Sequence, residues 1–380
     1  MFLLTLTLLI GLLFFCFSYY WIDFSLVNML VQSKPTLAWL YAIRDYRFAY
    51  RSEFAYLFLA LIIVLVIIQL FWLIRSNRLV INRRFWVIST IIVIIFGLCY
   101  PFLSRDIFSY LFGTKILYCF HHNPYTVPPL AFQATDLWLG FTHNVEKTYA
   151  YGPVYILYTL VPFLLFSCDK FISLFFSLKV MNGLLFVISG WLIWEITRDK
   201  RFISLWLFNP FLLLELLANS HNELVMVSLL FCAFYLIKNK TKIFANSLFA
   251  LSIITKFISI FFLPLFLYKK LWSESYFKLM VLLLTLFVLF RGNMPWYYIW
   301  VYMALPFANL KTTSLVLVYL TQLVLIITKY YGFVLSDTWQ YLGIFSRLYW
   351  LVYPLIITIV AIELFYPIKR ILKINKHERI

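Results

Sequence analysis

The sequence predicts an all-α fold, a polytopic transmembrane helical bundle of about 10–12 spans. Hydrophobic residues make up 64% of the 380 residues and charged residues only 12%, whereas a soluble domain has roughly 45–50% and about 25%. Apolar runs of about 18 residues or more, long enough to cross a bilayer, recur along the chain. The period-two alternation of an outer-membrane β-barrel is absent from the sequence, so we predict helices.

The net charge of +17 raises the question of nucleic-acid binding, but its distribution indicates a membrane protein instead. The basic residues lie in short clusters between apolar runs, as expected for cytoplasmic loops under the positive-inside rule. These clusters lie near residues 75–84, 198–201, 238–242, 269–278 and 369–379. We therefore predict a multi-pass protein of the cell (cytoplasmic) membrane with both termini in the cytoplasm. Its partner is the lipid bilayer, and no nucleic acid is expected.

The apolar runs define the predicted spans in order along the chain. The run at residues 1–17 has no basic residues before it, so we predict an uncleaved first span rather than a signal peptide. Loop 23–53 is nearly balanced in charge and is placed outside. The predicted spans lie near 3–20, 54–74, 85–103, 171–195, 202–218, 223–237, 277–291, 296–310, 312–328 and 349–366. No linker or internal repeat is visible, so residues 1–380 are predicted to form one integral-membrane domain.

Residues 104–170 are predicted to form a large extracytoplasmic loop. The loop carries four basic and four acidic residues, in contrast to the cytoplasmic clusters. A span over 153–166 would break the alternation of sides, so 105–119 and 153–166 are both predicted as interfacial helices. Cys119 and Cys168 would share this loop, and the sequence does not decide between two free thiols and a disulfide.

The segment 243–268 is predicted to be re-entrant. It has basic residues on both sides but is long enough for only one ordinary span. Both ends reach the cytoplasm only if the segment enters and returns as two short half-helices.

Asp106 is the candidate catalytic base, since it follows an apolar run directly at the predicted outer surface. A partly desolvated carboxylate beside Arg105 can be tuned to take a proton from a substrate hydroxyl, and Arg105 is a candidate for binding a phosphate. The alternative is that Asp106 only starts a helix. Tyr125, in the turn Asn-Pro-Tyr, is a candidate for stacking on a sugar, with an interfacial aromatic residue as the alternative.

A second polar cluster, residues 219–223, joins two predicted spans at the outer face. A plain turn needs fewer than five polar residues, so His221, Asn222 and Glu223 are candidates for substrate binding, with a capped hairpin turn as the alternative. Glu215 lies inside the preceding apolar run and therefore needs a partner or a proton.

Cations and aromatic residues near the outer face complete the candidate site. Lys179, Lys256 and Arg291 are candidates for binding an anionic ligand such as a phosphate, with snorkelling as the alternative for Lys256. Trp296 and Tyr297 are candidates for substrate binding, with an aromatic belt as the alternative. No Walker A, dinucleotide or zinc motif is present. We therefore expect no cofactor and no metal site, with a divalent metal as the alternative.

The motifs described above, taken in their order along the chain, resemble those of the GT-C superfamily of integral-membrane glycosyltransferases. The nearest resemblance is to the polyprenol-phosphate-mannose-dependent mannosyltransferases of prokaryotic envelopes. The segments that carry it, across roughly residues 100–300, are RDIFSYLFGTKIL with NPY, YGPVYILY, NPFLLLE with NSHNELVM, ITKFISIFFLPL and PWYYIW.

The resemblance implies a GT-C fold whose large first extracytoplasmic loop is catalytic, with Asp106 as the base of an inverting single displacement. Lys179 matches a basic position that follows the juxtamembrane helix. Two positions depart from many relatives. Arg105 precedes a single Asp106 where they have an acidic pair, and Glu223 stands where several have Asp.

The predicted function is transfer of a hexose, mannose above all, from a polyprenyl-phosphate sugar donor on the extracytoplasmic face. The acceptor is an envelope glycan, a glycolipid or a protein. One alternative is a transporter or lipid flippase, which usually shows repeated halves with broken helices in matching positions. Another is a non-catalytic scaffold, which would not explain polar clusters that converge on one face.

Overall fold

The computed structural model describes residues 2–336, except 240, 269, 270, 292 and 293, and short helical pieces between 354 and 362. The predicted span over 349–366 therefore lies largely outside the described residues, as does the basic cluster near the carboxyl end.

Every regular element of the described residues is helical, which confirms the predicted all-α class. The α-helices are α1 (Phe2–Tyr19), α2 (Phe24–Leu30), α3 (Lys34–Ala49), α4 (Arg51–Ile74), α5 (Arg83–Leu98), α6 (Asp106–Tyr118), α7 (Pro153–Leu165), α8 (Phe171–Thr197), α9 (Lys200–Leu207), α10 (Pro210–Leu212), α11 (Glu223–Lys238), α12 (Lys242–Thr255), α13 (Leu263–Leu267), α14 (Glu274–Phe290), α15 (Ile299–Tyr302) and α16 (Thr312–Ser336).

Several helices are long and apolar enough to cross a membrane, so the protein is a helical membrane bundle. Among the described residues there are four such helices, or five if α1 and α2, bent by 85°, form one span. The four are Arg51–Ile74, Phe171–Thr197, Lys200–Ala218 and Thr312–Ser336. This is fewer than the predicted 10–12, because helices such as α5 and α11 have only 16 residues each and a span needs about 20.

The predicted span over 296–310 is wrong. This segment consists of a 3₁₀-helix at Pro295–Tyr298, the single turn α15 and a second 3₁₀-helix at Leu305–Phe307. Pro306 has no N–H to continue a helix, and Asn309 has a left-handed backbone with φ 44°. Residues 298–308 are buried, so their apolar character reflects packing inside the protein rather than contact with lipid.

The helix break required by the re-entrant prediction is present at Lys256. Helix α12 ends at Thr255, Lys256 is extended with φ −158° and ψ 125°, and a 3₁₀-helix begins at Phe257. That both ends of this segment face the cytoplasm stays a prediction.

The large loop contains the two predicted helices, α6 and α7, within one residue of their expected bounds. Their position at the membrane interface stays a prediction. A disulfide joins Cys119 at the end of α6 to Cys168, just before α8. Of the two possibilities that the sequence left open, two free thiols or a disulfide, the structure has the disulfide. A buried ion pair between Lys115 and Asp136 holds the middle of the loop to α6.

The helices pack against one another in pairs to form the core of the bundle. Helix α11 packs against α8 and α12, α16 packs against α4, and α5 packs against α1 and α8. A π-helix at Leu213–Ala218 continues α10 and packs against α5 and α8. π-Helical turns often mark functional sites, and this one leads into the polar cluster at 219–223.

Candidate active site

A cleft of about 480 Å³ opens where the start of α6, the start of α11 and the break after α12 converge. Five separate segments of the chain line it. The lining residues are Asp106, Ala150, Tyr151, Gly152, His221, Asn222, Glu223, Ile253, Ile254, Thr255, Lys256, Phe257, Arg291, Trp296, Tyr297 and Trp300. The structure thus brings eight of the eleven predicted site residues into one cavity: Asp106, His221, Asn222, Glu223, Lys256, Arg291, Trp296 and Tyr297.

Asp106 occupies the first turn of α6, which begins directly after the non-helical segment 99–105. Its side chain is 33% exposed, and its Oδ2 lies 3.8 Å from Nδ1 of His221. The carboxylate is therefore partly desolvated yet reachable from the cleft, as a general base requires.

His221 is the buried centre of the polar cluster. The π-helix ends at Ala218, Ser220 has a left-handed backbone with φ 59°, and the His221 N–H donates to the Glu215 carbonyl at 3.0 Å. These constraints point the imidazole into the cleft, where it stacks on Trp296 with ring centroids 5.5 Å apart.

Three carboxylates surround the His221 ring. Its Nε2 lies 2.8 Å from Glu215, and its Nδ1 lies 3.8 Å from Asp106 and 4.0 Å from Glu223. Burial by itself would lower the pKa of His221, but the carboxylates, Glu215 foremost, outweigh burial and raise this pKa to about 9. His221, which lies in the connection between two helices, is therefore an imidazolium at neutral pH.

Glu215 has the partners that its place in an apolar run requires. The Tyr330 hydroxyl donates to one carboxylate oxygen, and the other accepts from Asn219 Nδ2 at 3.4 Å and contacts His221. Neither Glu215 nor Tyr330 lines the cleft among the described residues, so both act on it through His221.

Glu223 and Lys256 form an ion pair at the floor of the cleft. Glu223 is the first residue of α11 and its side chain is 1% exposed, whereas Lys256 at the helix break is 22% exposed. Within the described residues, the second carboxylate oxygen of Glu223 has no hydrogen-bond partner. The pair thus offers a cation and an acceptor atom to a ligand.

Arg291 and the aromatic residues lie along another wall of the cleft. Arg291 is exposed, while Trp296 and Tyr297 belong to the 3₁₀-helix that replaces the predicted span. Trp296 stacks on His221, and Tyr297 packs against Trp296 and Trp300.

Three predicted site residues lie elsewhere. Arg105 pairs with Asp23, with 2.6 Å between Nη1 and Oδ2. Tyr125 is exposed in the loop, and its hydroxyl donates to the Tyr151 carbonyl at 3.0 Å. The Lys179 ammonium is buried and donates to three backbone carbonyls. The geometry therefore does not support a contact between these side chains and a ligand in the cleft.

Residues 150–152 line the cleft but were not predicted as site residues. Gly152 packs so tightly that a Cβ there would lie 2.0 Å from the Ile254 carbonyl oxygen. The sequence signal was the Tyr-Gly-Pro triplet before α7, because a glycine at a helix start often permits close approach of backbone.

The part of the chain that the structure describes contains no group of three or more His, Cys, Asp or Glu side chains suited to hold a metal ion. The expectation of a metal-free site stays a prediction.

Comparison with known proteins gives one match. The family model described as "Alpha-(1->6)-mannopyranosyltransferase, N-terminal domain", of the MptA/B family, matches residues 5–270. The match covers more than half of the chain and includes the cleft residues from Asp106 to Phe257. No curated protein and no solved structure matches the chain significantly.

Proposed function

This chain belongs to the MptA/B family of alpha-(1->6)-mannopyranosyltransferases, and from that premise we propose that it transfers mannose from a polyprenyl-phosphate donor in the cleft around Asp106. The acceptor is a hydroxyl of an envelope glycan, a glycolipid or a protein. The observation that carries the proposal is one cavity in which a reachable carboxylate, cationic side chains and aromatic side chains meet.

Asp106 acts as the general base. It takes the proton from the acceptor hydroxyl while that oxygen attacks the anomeric carbon of mannose. The bond between this carbon and the phosphate oxygen breaks, and its electron pair leaves with the polyprenyl phosphate. A single displacement inverts the anomeric centre, so an α-linked product requires a β-linked mannosyl phosphate.

Lys256 and Arg291 bind the departing phosphate. Charge develops on the phosphate oxygen in the transition state, and fixed cations at this position stabilise it more than they stabilise the bound donor. A phosphate is a fair leaving group, so these residues and the base suffice without a metal. The apolar spans beside the cleft receive the polyprenyl chain.

We place the reaction on the extracytoplasmic face. Both Asp106 and residues 150–152 belong to the loop 104–170, whose balanced charge contrasts with the basic clusters between other apolar runs. The test of this placement is labelling of a cysteine introduced at Thr135 by a membrane-impermeant reagent. Labelling only from the cytoplasmic side would reverse the assignment.

The central test is Asp106→Asn in purified protein supplied with radiolabelled polyprenyl-phosphate mannose and α-(1→6)-mannobiose. Asparagine keeps the size of the side chain but takes no proton at neutral pH, so the transfer rate should fall by about 10²–10⁴-fold. Asp169→Asn is the matched control, because Asp169 is an exposed carboxylate of the same loop outside the cleft.

Full turnover by the Asp106→Asn protein would show that another residue is the base, and Glu223 would be the next candidate. If no mannose moves in the wild-type protein while a lipid or solute crosses the membrane, the transporter alternative replaces the proposal.

A further inference from the structure

A second cavity of about 250 Å³ adjoins the cleft and is not used by the proposed reaction. Ala150 and Tyr151 line both cavities and form the wall between them. We propose that this second cavity is a subsite for one sugar ring of an oligosaccharide acceptor, and this proposal rests on the proposed function. The ring in the subsite is the neighbour of the ring that carries the attacking hydroxyl.

One face of α6 connects the two cavities. Asp106 lines the cleft, and Ser109 and Gly113 line the second cavity. Residues three and seven positions apart share a helix face, and seven residues rise by about 10 Å. A short oligosaccharide that follows this face reaches from the catalytic carboxylate into the second cavity.

The lining of the second cavity suits sugar hydroxyls. His143, Asn144, Lys147 and Thr148 provide donors and acceptors, and the Tyr151 side chain provides an aromatic surface. Ligand pockets commonly combine apolar walls with a few polar groups that fix orientation.

The charge of this lining favours a neutral ligand over a phosphate. Among the residues that line the cavity, Lys147 is the one permanently charged residue, and its ammonium donates to Asn144 Oδ1 at 3.1 Å. Partial desolvation and the nearby Arg105 guanidinium lower the pKa of His143 below its usual value, which disfavours a positive charge on this ring. The cleft, in contrast, holds the cations that a phosphate needs.

The second cavity is held in shape by the loop's own hydrogen bonds. The Tyr149 N–H donates to the Pro124 carbonyl at 2.8 Å, and the Leu130 N–H donates to the Val145 carbonyl at 2.8 Å. The Tyr149 ring lies directly on Gly113, where a Cβ would lie 2.3 Å from Cδ2 of the ring. A pre-formed pocket loses less entropy when it binds a ligand.

The test compares methyl α-mannoside with α-(1→6)-mannotriose as acceptors. In the wild-type protein, the KM for mannotriose should be lower, because only the longer acceptor fills both cavities. Lys147→Ala should raise the KM for mannotriose by about tenfold, as expected for loss of a hydrogen bond from a charged donor. The KM values for methyl α-mannoside and for the lipid donor should not change.

Lys170→Ala is the matched control, since Lys170 is an exposed lysine of the same loop outside both cavities. Equal KM values for the two acceptors in the wild-type protein, or an equal effect of Lys147→Ala on both, would overturn the subsite. A rise in the KM for the lipid donor would assign the cavity to the donor instead.

Direct binding of mannotriose, measured by calorimetry, separates this proposal from the proposed function. If the wild-type protein transfers no mannose but binds mannotriose in a Lys147-dependent manner, the subsite stands and the proposed function fails. Transfer without Lys147-dependent binding would remove the subsite and leave the proposed function in place.

Discussion

Lys179→Met tests whether a buried lysine positions the active site rather than binding substrate. The Lys179 ammonium donates to the carbonyl oxygens of Cys99 at 2.9 Å, Leu217 at 3.1 Å and Ala218 at 2.6 Å. Cys99 begins the segment that leads to Asp106, and the other two carbonyls end the π-helix that leads to His221. One buried amino group thus joins the segment before Asp106, the proposed base, to the segment before His221.

The expected loss can be estimated from these three bonds. A hydrogen bond from a charged donor contributes about 1.5–3 kcal/mol, so the gross loss is on the order of 5 kcal/mol. Burial of methionine avoids the cost of desolvating a charge, and this offsets several kcal/mol of the loss. We therefore expect the free energy of unfolding to fall by about 2 kcal/mol in total. Relaxation of the two segments by about 1 Å is enough to lower kcat by roughly 10²-fold.

The assay is steady-state mannosyl transfer with the concentration of the lipid donor varied. A positioning role predicts a fall in kcat with the KM for the donor unchanged within about twofold. Lys170→Met is the control, because Lys170 is exposed just before the same helix. A tenfold rise in the KM for the donor at unchanged kcat would refute the reasoning and restore the prediction that Lys179 binds the phosphate.

Two further predictions concern packing and pH. Gly152→Ala should destabilise the protein by about 1–3 kcal/mol through overpacking against Ile254 and lower the transfer rate. Gly183→Ala, where the nearest atom would lie 3.6 Å away, should leave the melting temperature and the rate unchanged. Because the folded pKa of His221 is raised to about 9, the stabilisation from its charge is complete below about pH 6.5 and is lost as pH rises through 9. Glu215→Gln should lower this pKa and move the loss to lower pH, as measured by thermal unfolding between pH 6 and 10, and an unchanged pH profile would contradict the assignment.

Local signals in the sequence were enough to predict the helices of the large loop. Helices α6 and α7 follow from apolar runs bounded by polar residues and prolines, and the break at Lys256 follows from the basic residues on both sides of one apolar run. The cluster at 219–223 was visible because five polar residues interrupt a strongly apolar sequence.

Partners that are distant in sequence were not predictable. Arg105 pairs with Asp23, which lies 82 positions earlier, and backbone carbonyls, the partners of Lys179, leave no trace in a sequence. Residues 296–310 show a related limit. An apolar run predicts burial, but it does not tell burial in lipid from burial in protein.

The active-site groups sit where helices are interrupted, and the physical reason is the obligatory pairing of backbone groups. A continuous helix pairs its interior N–H and C=O groups in one repeating pattern, and this pattern is interrupted at the π-helix before His221, at the break at Lys256 and at the 3₁₀-helix that begins at Pro295. Each of these interruptions places a side chain, His221, Lys256 or Trp296, in the lining of the cleft.

The charges of the cleft link the proposed base to the proposed leaving group. Three carboxylates, Asp106, Glu215 and Glu223, surround His221, and Glu223 also pairs with Lys256. As the acceptor attacks, Asp106 gains a proton while the leaving phosphate gains a negative charge. The total charge inside the cleft then stays constant through the transition state. In the proposed reaction the negative charge moves from Asp106, which lies near His221, toward Lys256 and the exposed Arg291, and this movement favours the transition state over the bound donor.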